Sequence, residues 1–244
     1  MAKRKLFSPS RSVQESMSAA RPHAPLALVE NVAARIREQI VGGHLRPGTH
    51  LSEQALSKAL QVSRNSLREV FRQLAAEGLV RHELNRGVFV ATPDLSTIID
   101  IYKIRRLIEI PAVSRAYPNH PAIERMEAAL ALAQSCREQG DWMGVGSADI
   151  AFHAAIVALA DSSRLSAFFA KIAFELRLVF GLVQTPEHFH APFIEQNDRI
   201  AALLRGGDMP AAAQALEEYL DQAERVVRGA YGRLQPAEPE PALP

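Results

Sequence analysis

The fold of the N-terminal third of this chain is predicted by residues 51–91, LSEQALSKALQVSRNSLREVFRQLAAEGLVRHELNRGVFVA. This stretch contains two serines, Ser52 and Ser63, each followed by a run with the apolar spacing of a helix. A serine hydroxyl at that position accepts a hydrogen bond from the first turn of a helix, so both serines are predicted N-caps. The sequence therefore predicts a short helix to Leu60 and, after a tight turn, a second helix to about Glu77.

Two short apolar runs follow the second helix and predict a two-stranded β-ribbon. They are residues 79–80 and 88–90, with the polar segment HELNRG between them. Gly87 is the predicted turn residue of this ribbon, because glycine adopts a positive φ without steric strain. Upstream, apolar residues at helical spacing between Val29 and Ile40 predict one more helix. Three helices, a tight turn between the last two and a β-ribbon are the pattern of a winged helix-turn-helix.

The last helix of this unit has two different faces. Its apolar stripe, at positions i, i+3, i+4 and i+7, consists of Leu67, Val70, Phe71 and Leu74. Its arginines are spaced four apart on another face: Arg64, Arg68 and Arg72. Taken alone, such a face is often only a solvated cationic surface. On the second helix of a helix-turn-helix, it favours bidentate contacts with guanine edges or phosphate oxygens. The predicted DNA-binding residues are Ser63, Arg64, Asn65, Ser66, Arg68, Arg72, Arg86 and Gly87.

The charge distribution agrees with a polyanion-binding head. Residues 1–93 carry 14 Lys and Arg against 7 Asp and Glu, whereas residues 94–244 carry 14 against 20. No apolar run approaches the roughly 20 residues that cross a bilayer, and no signal-peptide pattern is visible. A single cysteine, Cys136, excludes an internal disulfide and a cysteine-based zinc site. We therefore expect a soluble cytoplasmic protein with no membrane contact.

Beyond Thr92–Asp94 the long segments are helix-like and predict an all-α bundle, so the fold class is mainly α. We expect helix breaks at residues 118–121, 140–146, 161–163, 184–192 and 206–210. The predicted organisation is a disordered basic tail over 1–24, the winged helix-turn-helix over 25–93, the helical bundle over 97–232 and a disordered Pro-rich tail over 233–244.

Residues 51–91 resemble the DNA-binding domain of the GntR family of bacterial transcription regulators, especially over VSRNSLREVFRQLAAEGLV. The resemblance implies that Arg64 and Arg68 are the principal base and phosphate readers and that the wing around Arg86-Gly87 reaches the minor groove. Gln54 lies where some members use arginine, so one contact differs here. The resemblance also implies a homodimer bound to an inverted-repeat DNA operator, and repression rather than activation.

Residues 97–232 resemble the FCD domain, the helical ligand-binding half of the FadR-type branch of this family. Three segments carry the resemblance: YKIRRLIE at 102–109, ADIAFHAAIVALA at 148–160 and NDRIAALLRGGDMPAAAQALEEYL at 197–220. By this resemblance the second domain binds a small-molecule effector, a small organic acid or another polar metabolite, with fatty acyl-CoA as a further possibility.

The metal site of this domain is predicted to be incomplete. Asp149 and His153 lie one helical turn apart and supply half of a metal site. The resemblance implies two further histidine ligands, but Asn197 and Tyr219 stand at those positions, and an amide and a phenol are weak ligands. We therefore expect no required cofactor and no tightly bound divalent metal. The alternative for Asp149 and His153 is a hydrogen-bonded pair lining a polar pocket.

Other residues leave alternatives open. Arg105 either meets a carboxylate ligand or is an ordinary surface or Glu109-paired arginine. His188 and His190, in a segment predicted to be a loop, either substitute as metal ligands or are simply exposed. The predicted effector-binding residues are Arg105, Asp149, His153, Asn197 and Tyr219.

Two other functions compete with a ligand-responsive regulator. One is a constitutive DNA-binding regulator whose sensor pocket has decayed. The other is a helical metal-dependent hydrolase that uses Asp149 and His153. The hydrolase lacks a complete ligand set and any nucleophile motif, so we expect that the protein is not an enzyme.

Overall fold

The computed structural model describes residues 26–183 and 185–232, and the two predicted terminal tails lie outside this range. The N-terminal unit forms a winged helix-turn-helix. Its elements are α1 (Leu26–Val41), β1 (His50–Leu51), α2 (Glu53–Leu60), α3 (Arg64–Ala76), β2 (Val80–Glu83) and β3 (Gly87–Val90).

Both predicted serine caps are present at the helix-turn-helix. The Ser52 Oγ accepts a hydrogen bond from the backbone N of Ala55 at 3.3 Å, and the Ser63 Oγ accepts one from the N of Ser66 at 3.0 Å. Between the two helices, Gln61 adopts a left-handed conformation with φ of 54°. This conformation ends α2 and reverses the chain within a few residues, so that α3 starts at a fixed angle to α2.

The wing is a three-stranded antiparallel sheet in which β3 is central. Val80 of β2 pairs with Val90, and His50 of β1 pairs with Phe89. The sequence predicts only the two strands of the hairpin, because a strand of two residues such as β1 has no readable alternation. The hairpin turn has a positive φ at Gly87, of 100°, as predicted.

The core of the N-terminal unit is built on the apolar stripe of α3. Its four members are completely buried: Leu67, Val70, Phe71 and Leu74. They pack with Ile36 of α1, and Leu178 of the second domain belongs to the same cluster. The arginines of α3 are therefore turned away from the core, as the helical spacing predicts.

The C-terminal unit is an all-α bundle. Its helices are α4 (Leu95–Ser114), α5 (Ala122–Glu138), α6 (Trp142–Ala158), α7 (Ser163–Phe180), α8 (Pro186–Arg205) and α9 (Met209–Gly232). The helix α5 packs along α6, and α4 packs along α9. Across the described residues, no helix combines the length and apolar character that a bilayer span requires.

Two predicted breaks are wrong in extent. The break at 140–146 ends early, because Asp141 accepts a hydrogen bond from the N of Gly144 at 2.9 Å and so starts α6 at Trp142. The break at 184–192 also ends early, since α8 begins at Pro186 and continues through Pro192. A proline in the first turn lacks only an N–H that has no partner in the helix, so Pro186 favours this start.

Candidate functional site

The first candidate site is the exposed face of α3. Arg64, Arg68 and Arg72 all lie on the surface, and so do Ser63 and Asn65. Because the opposite face of the helix is completely buried, the helix is held rigidly with its arginines outward. A capped helix that presents planar guanidinium groups in this way has the shape and chemistry to enter a DNA major groove.

The three arginines differ in their ion pairs. The Arg68 Nε lies 3.1 Å from both carboxylate oxygens of Glu53 on α2. This hydrogen bond raises the pKa of Arg68 above its ordinary value. Arg72 pairs with Glu69 one turn earlier on α3. Arg64 forms no ion pair with any other described residue. The guanidinium group at the N-terminal end of α3 is therefore the one that can contact DNA without first breaking an ion pair.

Ser66 differs from the other predicted DNA-binding residues because it is buried. The Ser66 hydroxyl lies 2.8 Å from the Ser63 Oγ, and the same Ser63 Oγ accepts a hydrogen bond from the backbone N–H of Ser66. Ser66 thus supports the cap of α3 and does not contribute to the exposed face.

At the wing, Arg86 and Gly87 are exposed as predicted. The Arg86 Nη1 lies 2.6 Å from a carboxylate oxygen of Glu83, and the guanidinium lies over the ring of Phe89. Leu84, at the tip, is 90% exposed and was not singled out from the sequence.

The second candidate site lies inside the C-terminal bundle, where four predicted residues from three helices meet. The Asp149 Oδ1 accepts hydrogen bonds from the Tyr219 hydroxyl at 2.7 Å and from the Asn197 Nδ2 at 2.8 Å. The His153 Nε2 lies 3.8 Å from the same oxygen. All four side chains are buried. The aspartate that the resemblance assigns to a metal is thus held by the two residues that replace histidines.

Arg105 joins this site through Glu109, the partner that one of the alternatives for Arg105 names. The Arg105 Nε donates to Glu109 Oε1 at 2.7 Å, and the other oxygen of Glu109 lies 2.6 Å from His153 Nδ1. Arg105 is 1% exposed and Glu109 is fully buried, so the alternative of an ordinary surface arginine is wrong and that of a Glu109-paired arginine is confirmed. Because an ionised carboxylate only accepts hydrogen bonds, the His153 Nδ1 is the donor of this contact.

Both buried carboxylates are held in their ionised form. Burial acts to raise the pKa of Asp149, but the positive charges at His153 and Arg105, aided by the Tyr219 hydrogen bond, outweigh it and lower that pKa. Burial likewise acts to raise the pKa of Glu109, and the charges of Arg105 and His153 lower it overall. The site is therefore a preorganised network of charges and not a neutral pocket.

Three buried polar atoms of this network have no hydrogen-bond partner among the described residues: Arg105 Nη2, His153 Nε2 and Asn197 Oδ1. Of the residues that carry them, Asn197 lines a cavity of about 10 Å³ together with Asp149 and His190. That volume holds about one water molecule. Because unpaired buried polar atoms are unfavourable, these atoms indicate a bound water or ligand atom.

Two further residues lie at the site: His190, which the sequence offered as a possible ligand, and Arg177, which was not singled out from the sequence. His190 lies on α8 and is buried, so the expectation that it is an exposed loop residue is wrong, whereas His188 is exposed. Burial lowers the pKa of His190 to about 4. Arg177 of α7 is also buried, and it donates to the backbone O of Met143 at 3.2 Å. Burial lowers the pKa of Arg177 to about 10.

The donor set fits a tightly bound metal poorly. Within the described ranges, no three His, Cys, Asp or Glu side chains are arranged to hold an ion. Asp149 already accepts two hydrogen bonds at one oxygen, and Asn197 and Tyr219 are weak ligands. The expectation that no metal is tightly bound remains a prediction.

A winged helix-turn-helix with an outward arginine face, joined to a helical bundle with a buried polar site, defines a DNA-binding protein with a separate C-terminal domain. Family models match both parts: bacterial regulatory proteins of the gntR family over residues 28–90, and the FCD domain over residues 100–222. The chain belongs to the GntR family of transcription regulators and carries an FCD effector-binding domain.

Known proteins agree with this assignment. The chain is 29% identical to the Nta operon transcriptional regulator of Aminobacter aminovorans, over 78% of this chain and 91% of that protein. It is 26% identical to the galactonate operon transcriptional repressor of Escherichia coli, over 76% and 90%. A crystal structure described as a GntR transcriptional regulator from Rhodococcus sp. RHA1 is 40% identical, covers 84% of this chain and 99% of its own, and has a TM-score of 0.82.

Proposed function

We propose that this protein is a cytoplasmic, ligand-responsive repressor that binds an inverted-repeat operator as a homodimer. The observation that carries the proposal is the capped helix α3 with Arg64, Arg68 and Arg72 exposed along one face. Two such helices related by a twofold axis enter successive major grooves, one on each half-site, about one helical turn apart.

In this proposal the arginines of α3 differ in how they contact DNA. Arg64 is free of ion pairs and meets a base edge or phosphate directly. Arg68 must exchange the carboxylate of Glu53 for DNA, so Glu53 acts as a competitor that weakens nonspecific binding more than specific binding. Arg86 of the wing reaches the minor groove, where its contact with Glu83 is likewise exchanged for phosphate.

The effector is a small organic acid that binds in the C-terminal bundle. The unpaired Nη2 of Arg105 is a buried donor for a carboxylate, and the unpaired Asn197 Oδ1 accepts from a hydroxyl group. Relatives named as repressors of the galactonate and gluconate operons support a hydroxylated acid as the effector class.

Helix α7 is the element through which the bundle acts on the DNA-binding unit. Its Leu178 packs in the core of the winged helix-turn-helix, and its Phe174 packs against that core and lies under the guanidinium of Arg37. Its Arg177 reaches the neighbourhood of the buried site. A shift of α7 on effector binding therefore moves the two DNA-binding heads relative to each other.

A regulator whose pocket no longer binds a ligand is the second candidate. The small cavity beside Asp149 favours it, since about 10 Å³ admits no metabolite without rearrangement. Isothermal titration calorimetry with galactonate and gluconate distinguishes the two, because only the ligand-responsive regulator releases or absorbs heat in a saturable way. We propose no catalytic role, because Asp149 and His153 are tied into the buried network.

The proposal is tested by selecting DNA from a library of random duplexes with the purified full-length chain. The expected result is an enriched inverted repeat, bound with a stoichiometry of two chains per duplex in sedimentation. An enriched sequence without twofold symmetry, or no enrichment above the starting library, would contradict it.

A further inference from the structure

The contact between the two domains encloses a cleft far larger than the buried cavity. Its volume is about 410 Å³, within the range of small-molecule sites. One wall comes from the turn after α1, including Arg46 and Pro47, and the other comes from Met143 and the C-terminal end of α7. The walls approach closely at the rim, because a Cβ on Gly181 would lie 3.0 Å from Pro47.

The charges that line this cleft have one sign. Arg46 from the DNA-binding unit and Arg177 from the bundle both line it, and none of the described residues that line it is acidic. Arg46 is exposed and forms no ion pair with another described side chain. Each domain thus contributes one arginine to the same cleft.

Arg177 is the more informative of the two. It is only 5% exposed, yet its only hydrogen bond within the described residues runs from Nη1 to the Met143 carbonyl. The carboxylates of Asp149 and Asp141 act on it only through their charge, without a hydrogen bond. None of the other Arg177 nitrogens is a buried unpaired atom of the described residues, so they remain accessible, and since Arg177 lines the cleft they can donate to an anion there.

Arg177 also separates the cleft from the buried polar site. A Cβ on Gly146 would lie 2.9 Å from the His190 ring and 3.5 Å from the Arg177 Nη1, so the two side chains meet over this glycine. His190 in turn lines the small cavity beside Asp149. A ligand bound in the cleft would therefore lie next to the buried polar network around Asp149.

We propose that the interdomain cleft is an anion-binding site that takes a small metabolite with a carboxylate or phosphate group between Arg46 and Arg177. The bound anion ties the turn after α1 to α7 and so fixes the position of the DNA-binding unit on the bundle. The anion site stands on the cleft alone, whereas its effect on operator binding rests on the proposed function.

The test is the thermal unfolding of the full-length chain in sodium phosphate, in sodium succinate and in sodium chloride of the same ionic strength. Phosphate or succinate should raise Tm saturably over chloride, by about 3–6 °C at ten times its Kd. A rise with phosphate alone identifies a phosphorylated ligand, and a rise with succinate alone identifies a carboxylic acid. Equal Tm values in all three salts overturn the proposal.

Matched variants assign the effect to the cleft. R177M should abolish the rise and R46M should reduce it, whereas R125M, at an exposed arginine of α5 without an ion pair, should keep it in full. If R177M does not fold, R46M alone tests whether the rise in Tm comes from binding in the cleft. A rise that persists unchanged in R46M or R177M overturns the proposal.

Operator binding is then measured with and without the active anion, on the duplex obtained by selection. A change of about 5- to 150-fold in Kd that R177M removes links the cleft to regulation. If the anion raises Tm but does not change the Kd for the operator, the regulatory effect is overturned. The proposal that the chain binds an operator is not affected by that result. Failure to select a duplex would refute the proposed function and leave the anion site supported.

Discussion

The substitution Tyr219→Phe removes one hydroxyl from the buried network and leaves the ring in place. The hydroxyl donates to Asp149 Oδ1 at 2.7 Å, and both side chains are buried, so bulk solvent does not replace the lost donor. A hydrogen bond to a charged acceptor contributes about 1.5–3 kcal/mol. We expect the free energy of unfolding at pH 7 to fall by this amount and Tm to fall by about 3–12 °C.

The loss of unfolding free energy in Tyr219→Phe depends on pH, and the pKa of Asp149 sets the direction of this dependence. The pKa of its carboxyl is lowered in the folded chain, so its stabilisation is fully present above the unfolded value of about 3.9 and is lost as pH falls through the folded pKa. Without the Tyr219 donor the folded pKa of Asp149 rises. The difference between the two proteins is therefore largest at neutral pH and narrows in acid.

The assay is urea denaturation followed by circular dichroism, with Tyr117→Phe as the control. Tyr117 is 50% exposed and its hydroxyl makes no hydrogen bond in the described residues, so its loss should change stability by less than about 0.5 kcal/mol. If Tyr219→Phe is no more destabilising than this control, or if its effect is the same at every pH, the described network is wrong.

Three further predictions concern DNA and metal. Arg68→Ala should weaken binding to the selected operator by about 5- to 150-fold in fluorescence anisotropy, and Arg125→Ala, on the bundle, should leave it unchanged; equal losses would misplace the DNA-binding face. Glu53→Gln should tighten binding to random DNA, because Arg68 no longer has to leave a carboxylate; an unchanged or weaker affinity contradicts the competition. The wild-type chain should carry little zinc by elemental analysis, whereas the double substitution Asn197→His and Tyr219→His should bind near-stoichiometric zinc and melt lower after EDTA, since two imidazoles replace two weak ligands; stoichiometric metal in the wild type would refute this.

The N-terminal unit was readable from the sequence because its signals are local. Ser52 and Ser63 cap their helices through residues three positions ahead, and the stripe from Leu67 to Leu74 alone decides which face is buried. The strand β1 was missed because its two residues become a strand only by pairing with β3.

The buried site was only partly readable, because its chemistry depends on contacts between distant segments. The meeting of Asp149, Asn197 and Tyr219 followed from family resemblance, but Glu109 looks like a surface partner of Arg105 until the helices that cover it are known. His190 was misjudged because the flanking prolines suggested a loop.

Arg177 offered a signal that could have been used. It stands in the apolar segment LRLVF, between Leu176 and Leu178, and a single arginine inside such a run indicates burial with a special environment. What the run could not indicate is the cleft beside it, which exists only because the turn after α1 packs against α7.

We propose above all that α3 reads DNA from the major groove in a twofold-symmetric complex. Protection of guanine N7 from methylation, measured on the selected duplex, tests it most directly, since N7 lies in the major groove. We expect two protected patches about one helical turn apart, both of which disappear with Arg68→Ala. A single patch, or protection that Arg68→Ala leaves unchanged, would contradict it.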